Sequence, residues 1–303
     1  MSRVLLTGAS GFLGSRALEA LAEAGHEVHA VARSEPRHDS PGSGVLWHAA
    51  DLTDPAAAAR LMREVEPEGL LHMAWYVEHG RYWQASENVV WVEATLRLLR
   101  CFVAAGGRRA VMAGTCAEYE WSLDRYSEAT APLAPATLYG VAKDATRRLA
   151  ESFAAKAGIE LAWGRIFTPY GPGEDAARLL GSVILSLLAG EPTPAPEGAQ
   201  VRDLMYVEDV ARAFVALLDS PVQGAVNVAS GQPTQIRELI SLAAEAVGRP
   251  ELVRWGGLAS REGEPPELVA DVGRLQREVG FAAGVELSEG VARTVAWWRE
   301  RTS

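Results

Sequence analysis

The sequence is short of cysteine, of positive charge and of long apolar runs, and each shortage argues against a class of protein. Cys101 and Cys116 are the only cysteines among 303 residues, which favours a reducing compartment over a disulfide framework, and no metal is implied. The formal charge of −10 gives no basic footprint for nucleic acid. No apolar stretch approaches the roughly 18 residues of a membrane span. We therefore expect a soluble, cytoplasmic protein without a leader peptide, acting on a small molecule.

Short apolar runs alternate with longer segments of helical period through the first half of the chain. The predicted strands are Arg3–Thr7, Glu27–Ala32, Val45–Ala49, Gly69–Met73, Arg109–Ala113 and Glu160–Arg165. The predicted helices between them are Phe12–Ala24, Pro55–Val65, Glu87–Ala105 and Thr137–Ala157. Strands that alternate with crossover helices are typical of a doubly wound parallel sheet, so we predict an α/β fold of the Rossmann type.

The chain changes character after Arg165, where prolines and glycines crowd successive turns. We predict that a smaller substrate lobe begins there and that it is discontinuous in sequence. Glu208–Asp219 has helical period and Ala225–Ala229 is typical of a strand that rejoins the main sheet. The predicted main domain is therefore 1–168 with about 203–230, and the predicted C-terminal lobe is 169–202 with 231–303.

A glycine-rich turn follows the first strand and opens the first helix, in the order Thr7-Gly8-Ala9-Ser10-Gly11-Phe12-Leu13-Gly14. Gly8 permits the tight turn, Gly11 lets backbone N–H groups approach a pyrophosphate, and Gly14 lets the helix pack closely on the strand. The helix N-terminus adds partial positive charge. The turn predicts a dinucleotide site, whose other contacts we expect from Ser10, Phe12 and Leu13.

The residue after the second strand bears on which dinucleotide binds. Arg33 follows Ala32 where a carboxylate would bind a free ribose 2′-hydroxyl, and a cation suits a 2′-phosphate. We therefore favour NADP(H), with NAD possible, although Glu35 and Arg37 lie close by and Arg33 could be a solvated loop cation. Asp51-Leu52, after the third strand, either contacts the adenine amino group or simply begins a helix.

Tyr139 and Lys143 stand four residues apart, which places both side chains on one face of a helix. A nearby ammonium favours the phenolate, so we expect Lys143 to lower the pKa of Tyr139 and to hold the nicotinamide ribose. Thr115 ends the preceding strand at the carboxyl edge of the sheet and can hydrogen-bond the same substrate oxygen. These three residues are the predicted catalytic group.

Together with the glycine turn, these features resemble the extended short-chain dehydrogenase/reductase family, which includes nucleotide-sugar epimerases, dehydratases and ketoreductases. The resemblance continues in Arg165–Pro172 and Val201–Val210. It implies a nucleotide-sugar substrate, a homodimer joined through the helices at 87–105 and 137–157, and a cofactor passing close to Ala74. It also implies substrate contacts from Cys116, Thr168, Arg202 and Arg261, with the two arginines at the diphosphate.

Departures from the family pattern narrow the expected chemistry. Cys116-Ala117 stand where dehydratases of the family carry an Asp-Glu pair, which disfavours a dehydratase. Our first hypothesis is an NADPH-dependent ketoreductase acting on a nucleotide-linked keto-deoxysugar, at its C4 carbonyl. The alternative is a nucleotide-sugar epimerase that oxidises its substrate transiently, and the second alternative is a non-catalytic dinucleotide sensor. Asn88 matches a recurrent asparagine of the family, and helix capping explains it equally well.

Overall fold

The computed structural model describes residues 2–34, 44–259 and 263–302. Its strands are β1 Arg3–Thr7, β2 Glu27–Ala32, β3 Val45–Ala49, β4 Gly69–His72, β5 Arg109–Thr115, β6 Arg125–Tyr126, β7 Glu160–Ile166, β8 Thr168–Tyr170, β9 Thr193–Ala195, β10 Val201–Tyr206, β11 Gly224–Val228, β12 Pro233–Gln235, β13 Val253–Trp255 and β14 Glu267–Ala270. Its α-helices are α1 Phe12–Glu23, α2 Ala57–Val65, α3 Glu87–Ala104, α4 Leu138–Ala157, α5 Leu179–Ala189, α6 Val207–Asp219, α7 Ile236–Val247 and α8 Leu287–Thr302.

Seven parallel strands form the central sheet, in the order β11-β7-β5-β4-β1-β2-β3. Because helices cover both faces of such a sheet, consecutive residues of its inner strands are buried and mostly apolar, rather than alternating between apolar and polar. All four residues of β4 are buried, for example. Helices α1 and α6 pack on one face, and α2, α3 and α4 pack on the other. This arrangement confirms the predicted Rossmann-type α/β fold.

A second, smaller sheet is built from short strands of distant origin, in the order β12-β10-β14-β6, with β8 also paired to β10. Strand β6 pairs with β14, whose residues lie 144 positions further along the chain. Helices α5, α7 and α8 cover this region with their own apolar cluster. Strand β11 returns to pair with β7 in the main sheet. The division into two lobes with the boundaries given above stays a prediction.

The carboxyl ends of β1, β4 and β5 meet at one edge of the main sheet, where the loops before α1, α3 and α4 begin. Ligands of open parallel sheets bind outside this edge, so the fold brings the glycine turn and the Tyr139 helix to the same place. Within the described residues, no helix combines the length and apolarity needed to cross a membrane.

Candidate active site

The glycine turn has the geometry that a pyrophosphate requires. Gly8 has φ of +72°, and a Cβ there would lie 2.9 Å from the backbone nitrogen of Ala74. A Cβ on Gly14 would lie 2.0 Å from the Gly8 carbonyl oxygen, so only glycine lets α1 approach β1 this closely. Gly11 precedes α1 without a side-chain cap, which leaves the first N–H groups of the helix free to bind an anion. The rim of the turn is formed by exposed Ser10 with partly exposed Phe12 and Leu13.

A buried histidine braces this turn from below. His72 Nδ1 lies 2.7 Å from Thr7 Oγ1 and its Nε2 lies 2.9 Å from Thr95 Oγ1. Thr7 Oγ1 also accepts a hydrogen bond from the Ala74 N–H at 3.3 Å. Burial lowers the pKa of His72 to about 3, with a smaller contribution from the Lys143 charge. His72 is therefore neutral and connects the end of β1 to α3.

Arg33 and Asp51 lie close together at the end of the neighbouring strands, and both are exposed. The Asp51 Oδ1 accepts hydrogen bonds from the Thr53 N–H at 2.9 Å and its hydroxyl at 2.7 Å. These bonds, with the Arg33 charge as a smaller cause, lower the pKa of Asp51. Leu52 is buried beside it. The Asp51 carboxylate near Arg33 would repel a 2′-phosphate, and this weakens the sequence argument for NADP(H). Glu35 and Arg37 lie outside the described residues.

Helix α4 begins where it brings Tyr139 to the end of β5. Thr137 caps the helix by accepting the Gly140 N–H at 3.1 Å, so Tyr139 lies in the first turn and Lys143 in the second. Both side chains are buried, at 9% and 4% exposure. The Thr115 side chain lies near the Tyr139 phenol and partly opposes the rise of its pKa on burial. The structure thus brings together the three residues predicted to be catalytic.

Lys143 is held by groups of the protein itself. Its Nζ donates to the Ala113 carbonyl at 2.8 Å and lies 3.8 Å from the centroid of the Trp75 ring. Burial lowers the pKa of Lys143 to about 7, and the negative charge of Glu118 opposes that shift. Trp75 therefore contributes a cation–π contact that the sequence analysis did not assign.

The expected lowering of the Tyr139 pKa is wrong for the ligand-free protein. Burial raises the pKa of Tyr139, with Tyr82 adding to the rise, and the nearby Thr115 side chain only partly opposes it. The rings of Tyr82 and Trp83 meet the Tyr139 ring edge-on at 4.9 and 5.8 Å between centroids. Sequence spacing places the lysine correctly, but it cannot reveal that aromatic rings exclude water from the phenol.

Asn88 is fully buried and joins the aromatic residues of the site rather than capping α3. Its Oδ1 accepts from Trp75 Nε1 at 2.9 Å, and its Nδ2 donates to the carbonyls of Tyr82 and Ala85 at 2.7 and 2.9 Å. The amide therefore holds both the ring over Lys143 and the segment that packs against Tyr139.

Two of the predicted substrate residues, Cys116 and Arg202, lie near each other next to Thr115. Burial raises the pKa of Cys116 to about 12, so it is a neutral thiol and a poor proton acceptor; the nearby Arg202 partly opposes the shift. Arg202 is 8% exposed and its Nη2 lies 3.5 Å from the Glu264 carboxylate. Thr168 lies on β8, paired with Leu204 of β10. Arg261 lies outside the described residues.

A buried carboxylate next to Thr115 is the main residue that the sequence analysis missed. Glu118 is 0% exposed and forms an ion pair with Arg165, with 2.7 Å between Oε2 and Nε. Arg165 continues to the Tyr119 hydroxyl at 3.0 Å, which donates to Asn227 at 2.8 Å. Glu118 lies in a short 3₁₀ turn, Cys116–Glu118, which leaves no periodic pattern in the sequence. Its partner Arg165 lies on β7, far away along the chain.

Comparison with known proteins identifies the family. The model of the NAD dependent epimerase/dehydratase family matches residues 4–229. The chain belongs to this family. It is 30% identical to the UDP-glucose 4-epimerase of Mycolicibacterium smegmatis over 99% of both chains. It is 31% identical to MoeE5 solved with UDP-glucose and NAD, at TM-score 0.85 and with 99% of both chains covered. It is 27% identical to the Thermus thermophilus UDP-glucose 4-epimerase solved with NAD, at TM-score 0.84, covering 98% and 99%.

These findings confirm the resemblance to extended short-chain dehydrogenases/reductases, a family of NAD-dependent enzymes that act on nucleotide sugars. The likeness extends over 99% of these relatives, so it includes the region of the second sheet as well as the main sheet with the glycine turn. The solved relatives named here contain NAD, whereas our sequence prediction favoured NADP(H).

Proposed function

We propose that the protein is an NAD-dependent nucleotide-sugar epimerase that acts at C4 of the sugar of a nucleoside diphosphate sugar. The observation that carries this proposal is the 30% identity to a UDP-glucose 4-epimerase over 99% of both chains. It favours the epimerase, which was the alternative in our sequence analysis, over the ketoreductase. None of the relatives named above is described as a ketoreductase. The buried side chains of Thr115 and Tyr139, which lie near each other at the carboxyl end of the sheet, support the same chemistry.

The residues of the turn fit a dinucleotide, because the uncapped N-terminus of α1 and the close approach of Gly8 and Gly14 leave a backbone cradle for the pyrophosphate. A nicotinamide cofactor bound there supplies the hydride acceptor and donor and, when oxidised, a positive charge. We propose NAD for this role. The NADP(H) preference predicted from Arg33 stays open to a direct comparison of the two dinucleotides.

Each proposed catalytic residue moves or holds one proton. Tyr139 Oη takes the hydroxyl proton as the sugar alcohol becomes a ketone, and it returns that proton when the carbonyl is reduced from the opposite face. Thr115 Oγ1 hydrogen-bonds the same oxygen and fixes its position. The Lys143 ammonium favours the phenolate form of Tyr139, which burial alone disfavours. We propose that Arg202 binds the diphosphate, because its buried guanidinium lies near enough to Cys116, next to Thr115, to interact with it electrostatically.

The test measures epimer formation by the purified protein without added cofactor. UDP-glucose, UDP-N-acetylglucosamine and UDP-glucuronate are each incubated with the enzyme and analysed by proton NMR, and the bound dinucleotide is released and identified. We expect a C4 epimer, no net change in absorbance at 340 nm, and bound NAD. Tyr139→Phe should retain the dinucleotide and lose turnover by about 10²-fold or more.

Tyr76→Phe is the matched control, because it removes a hydroxyl that is hydrogen-bonded to Glu78 in an exposed position and keeps the ring, which packs near Tyr139. It should leave turnover unchanged. Stoichiometric consumption of NADPH with a keto-sugar nucleotide would replace the epimerase with our ketoreductase hypothesis. If every substrate bound without turnover and Tyr139→Phe changed nothing, the sensor hypothesis would hold.

We further propose a homodimer formed through α3 and α4 in a reducing, cytoplasmic setting. These two helices expose the apolar side chains of Val89, Val90, Val141 and Leu149 at 45–54% of their surface. Both cysteines are free thiols, in keeping with a reducing compartment.

A further inference from the structure

Glu118 is a fully buried carboxylate with a donor on each oxygen. Its Oε1 accepts the Thr115 N–H at 2.9 Å and Trp163 Nε1 at 2.8 Å. Its Oε2 accepts Arg165 Nε at 2.7 Å, and Arg147 Nε lies 3.8 Å from the same oxygen. A carboxylate in such a place is costly unless it is paired and hydrogen-bonded, and here both conditions are met.

The turn that Glu118 closes positions two of the proposed catalytic residues, Thr115 and Tyr139. Thr115 Oγ1 accepts the Ala117 N–H at 3.2 Å, and with the Glu118 carboxylate this forms a reciprocal capping box around the 3₁₀ turn. Helix α4 rests on the same turn, because a Cβ on Gly140 would lie only 2.3 Å from the Ala117 carbonyl oxygen. Tyr139 is the residue before Gly140. The turn therefore fixes the position of Tyr139 relative to Thr115.

The Glu118 charge also reaches the amine of the site. Glu118 is the negative charge that opposes the lowering of the Lys143 pKa by burial. Two other titratable groups near Lys143 are His72 on β4, which is neutral because burial holds its pKa at about 3, and Tyr139 on its own helix. Burial raises the pKa of Tyr139, and the Glu118 charge is a smaller cause of that rise. Arg165 on β7 forms an ion pair with Glu118.

We propose that Glu118 is a positioning residue, which holds Thr115 and Tyr139 in register by closing the 3₁₀ turn and by pairing with Arg165. Its charge adds an electrostatic part to this role, because it favours the ammonium form of Lys143. It touches neither substrate nor cofactor. The inference rests on the proposed roles of Thr115, Tyr139 and Lys143, and it adds the residue that fixes their geometry and charge. No periodicity or motif in the sequence assigns Glu118 such a role.

Two substitutions separate the geometric part of this role from the electrostatic part. Glu118→Gln keeps the length and an oxygen for the Thr115 N–H but removes the charge. Glu118→Asp keeps the charge but shortens the reach to Thr115. We expect Glu118→Gln to move the alkaline limb of the kcat profile to lower pH. We expect Glu118→Asp to lower kcat by about tenfold or more, without moving that limb, while KM and cofactor affinity stay within about threefold.

Glu128→Gln is the matched control, because Glu128 accepts the Asn227 N–H at 2.7 Å at the far end of the same chain of hydrogen bonds. It should leave kcat and its pH dependence unchanged. If both Glu118 variants lowered only the melting temperature, with kcat and pH profile intact, Glu118 would be merely structural and the proposal would fall.

A measurement without turnover distinguishes failure of this inference from failure of the proposed function. The chain contains only two lysines, Lys143 and Lys156, so carbon-13 labelling at lysine Cε gives two NMR signals. In Glu118→Gln the Lys143 signal should titrate at lower pH than in the wild type, while the exposed Lys156 does not move. An unchanged Lys143 titration overturns the electrostatic part even if no sugar nucleotide is turned over.

Should Glu118→Gln fail to fold, Trp163→Phe carries the geometric test. It removes one neutral donor to Glu118 Oε1 and leaves every charge in place. We expect kcat to fall by about threefold or more at constant cofactor affinity, whereas an unchanged kcat would overturn the positioning role.

Discussion

Lys143 should weaken the fold of the cofactor-free protein at neutral and acidic pH. Its pKa falls from 10.5 in an exposed chain to about 7 in the folded protein because the amine is buried. The difference, 10.5 − 7, is about 3.5 pH units, which corresponds to about 5 kcal/mol. Between these two values the unfolded chain binds more protons than the folded one, so stability rises with pH across this window. The cost is about 5 kcal/mol well below pH 7 and about 2 kcal/mol at pH 9.

Lys143→Met isolates this effect because methionine fills similar space without a charge. The variant loses the hydrogen bond to the Ala113 carbonyl, but that loss is the same at every pH and cancels in the comparison. Urea unfolding of both cofactor-free proteins at pH 6, 7.5 and 9 gives the free energy of unfolding at each pH. We expect the wild type to recover about 2 to 3 kcal/mol relative to the variant between pH 6 and pH 9.

Direct titration of the amine provides a second measurement on the same sample. With carbon-13 at lysine Cε, the Lys143 signal should titrate at about 7. A Lys143 signal that titrates near the value of an exposed lysine, together with a stability difference that does not vary with pH, would refute the argument. In that case the ammonium would be stabilised by contacts with Trp75 and Ala113 more strongly than burial destabilises it.

Two further predictions concern core packing and the proposed dimer interface. Gly114→Ala should lower the free energy of unfolding in urea by about 1–3 kcal/mol, because a Cβ there would lie 2.0 Å from Trp163 Nε1. Gly284→Ala should leave it unchanged, because a Cβ there meets open space, and equal effects of the two variants would contradict the packing argument. Leu149→Glu should convert the dimer into a monomer, as measured by light scattering after size exclusion, whereas Leu258→Glu in the loop after β13 should not. A wild-type protein that is itself a monomer would refute the proposed interface.

The central sheet could be predicted closely because its strands are buried on both faces. Strands β1, β2 and β3 have the predicted bounds, whereas β5 and β7 run one or two residues further than expected. The second sheet could not be predicted. Its β6 has two residues and β12 has three, too few for a period, and their partners are distant in sequence.

The candidate site was predictable where chemistry depends on spacing along the chain, and not where it depends on contacts across the fold. The spacing of Tyr139 and Lys143 fixes a shared helical face, and the position of Thr115 at a strand end fixes its edge of the sheet. The sign of the Tyr139 pKa shift depends instead on burial in the folded protein, and Tyr82 from another segment adds to it. Glu118 is likewise recognisable only once β7 brings Arg165 beside it.

The charges buried at this site are better explained by chemistry than by stability. Lys143, Glu118 and Arg165 are each under 5% exposed, and apolar side chains of similar volume would avoid the cost of removing charges from water. Burial also makes each charge act more strongly on its neighbours, because little water remains to screen it. A phenol whose pKa is raised by burial needs such a neighbour before it can accept a proton. The destabilising lysine and the carboxylate that favours its charged form are therefore two parts of one arrangement around Tyr139.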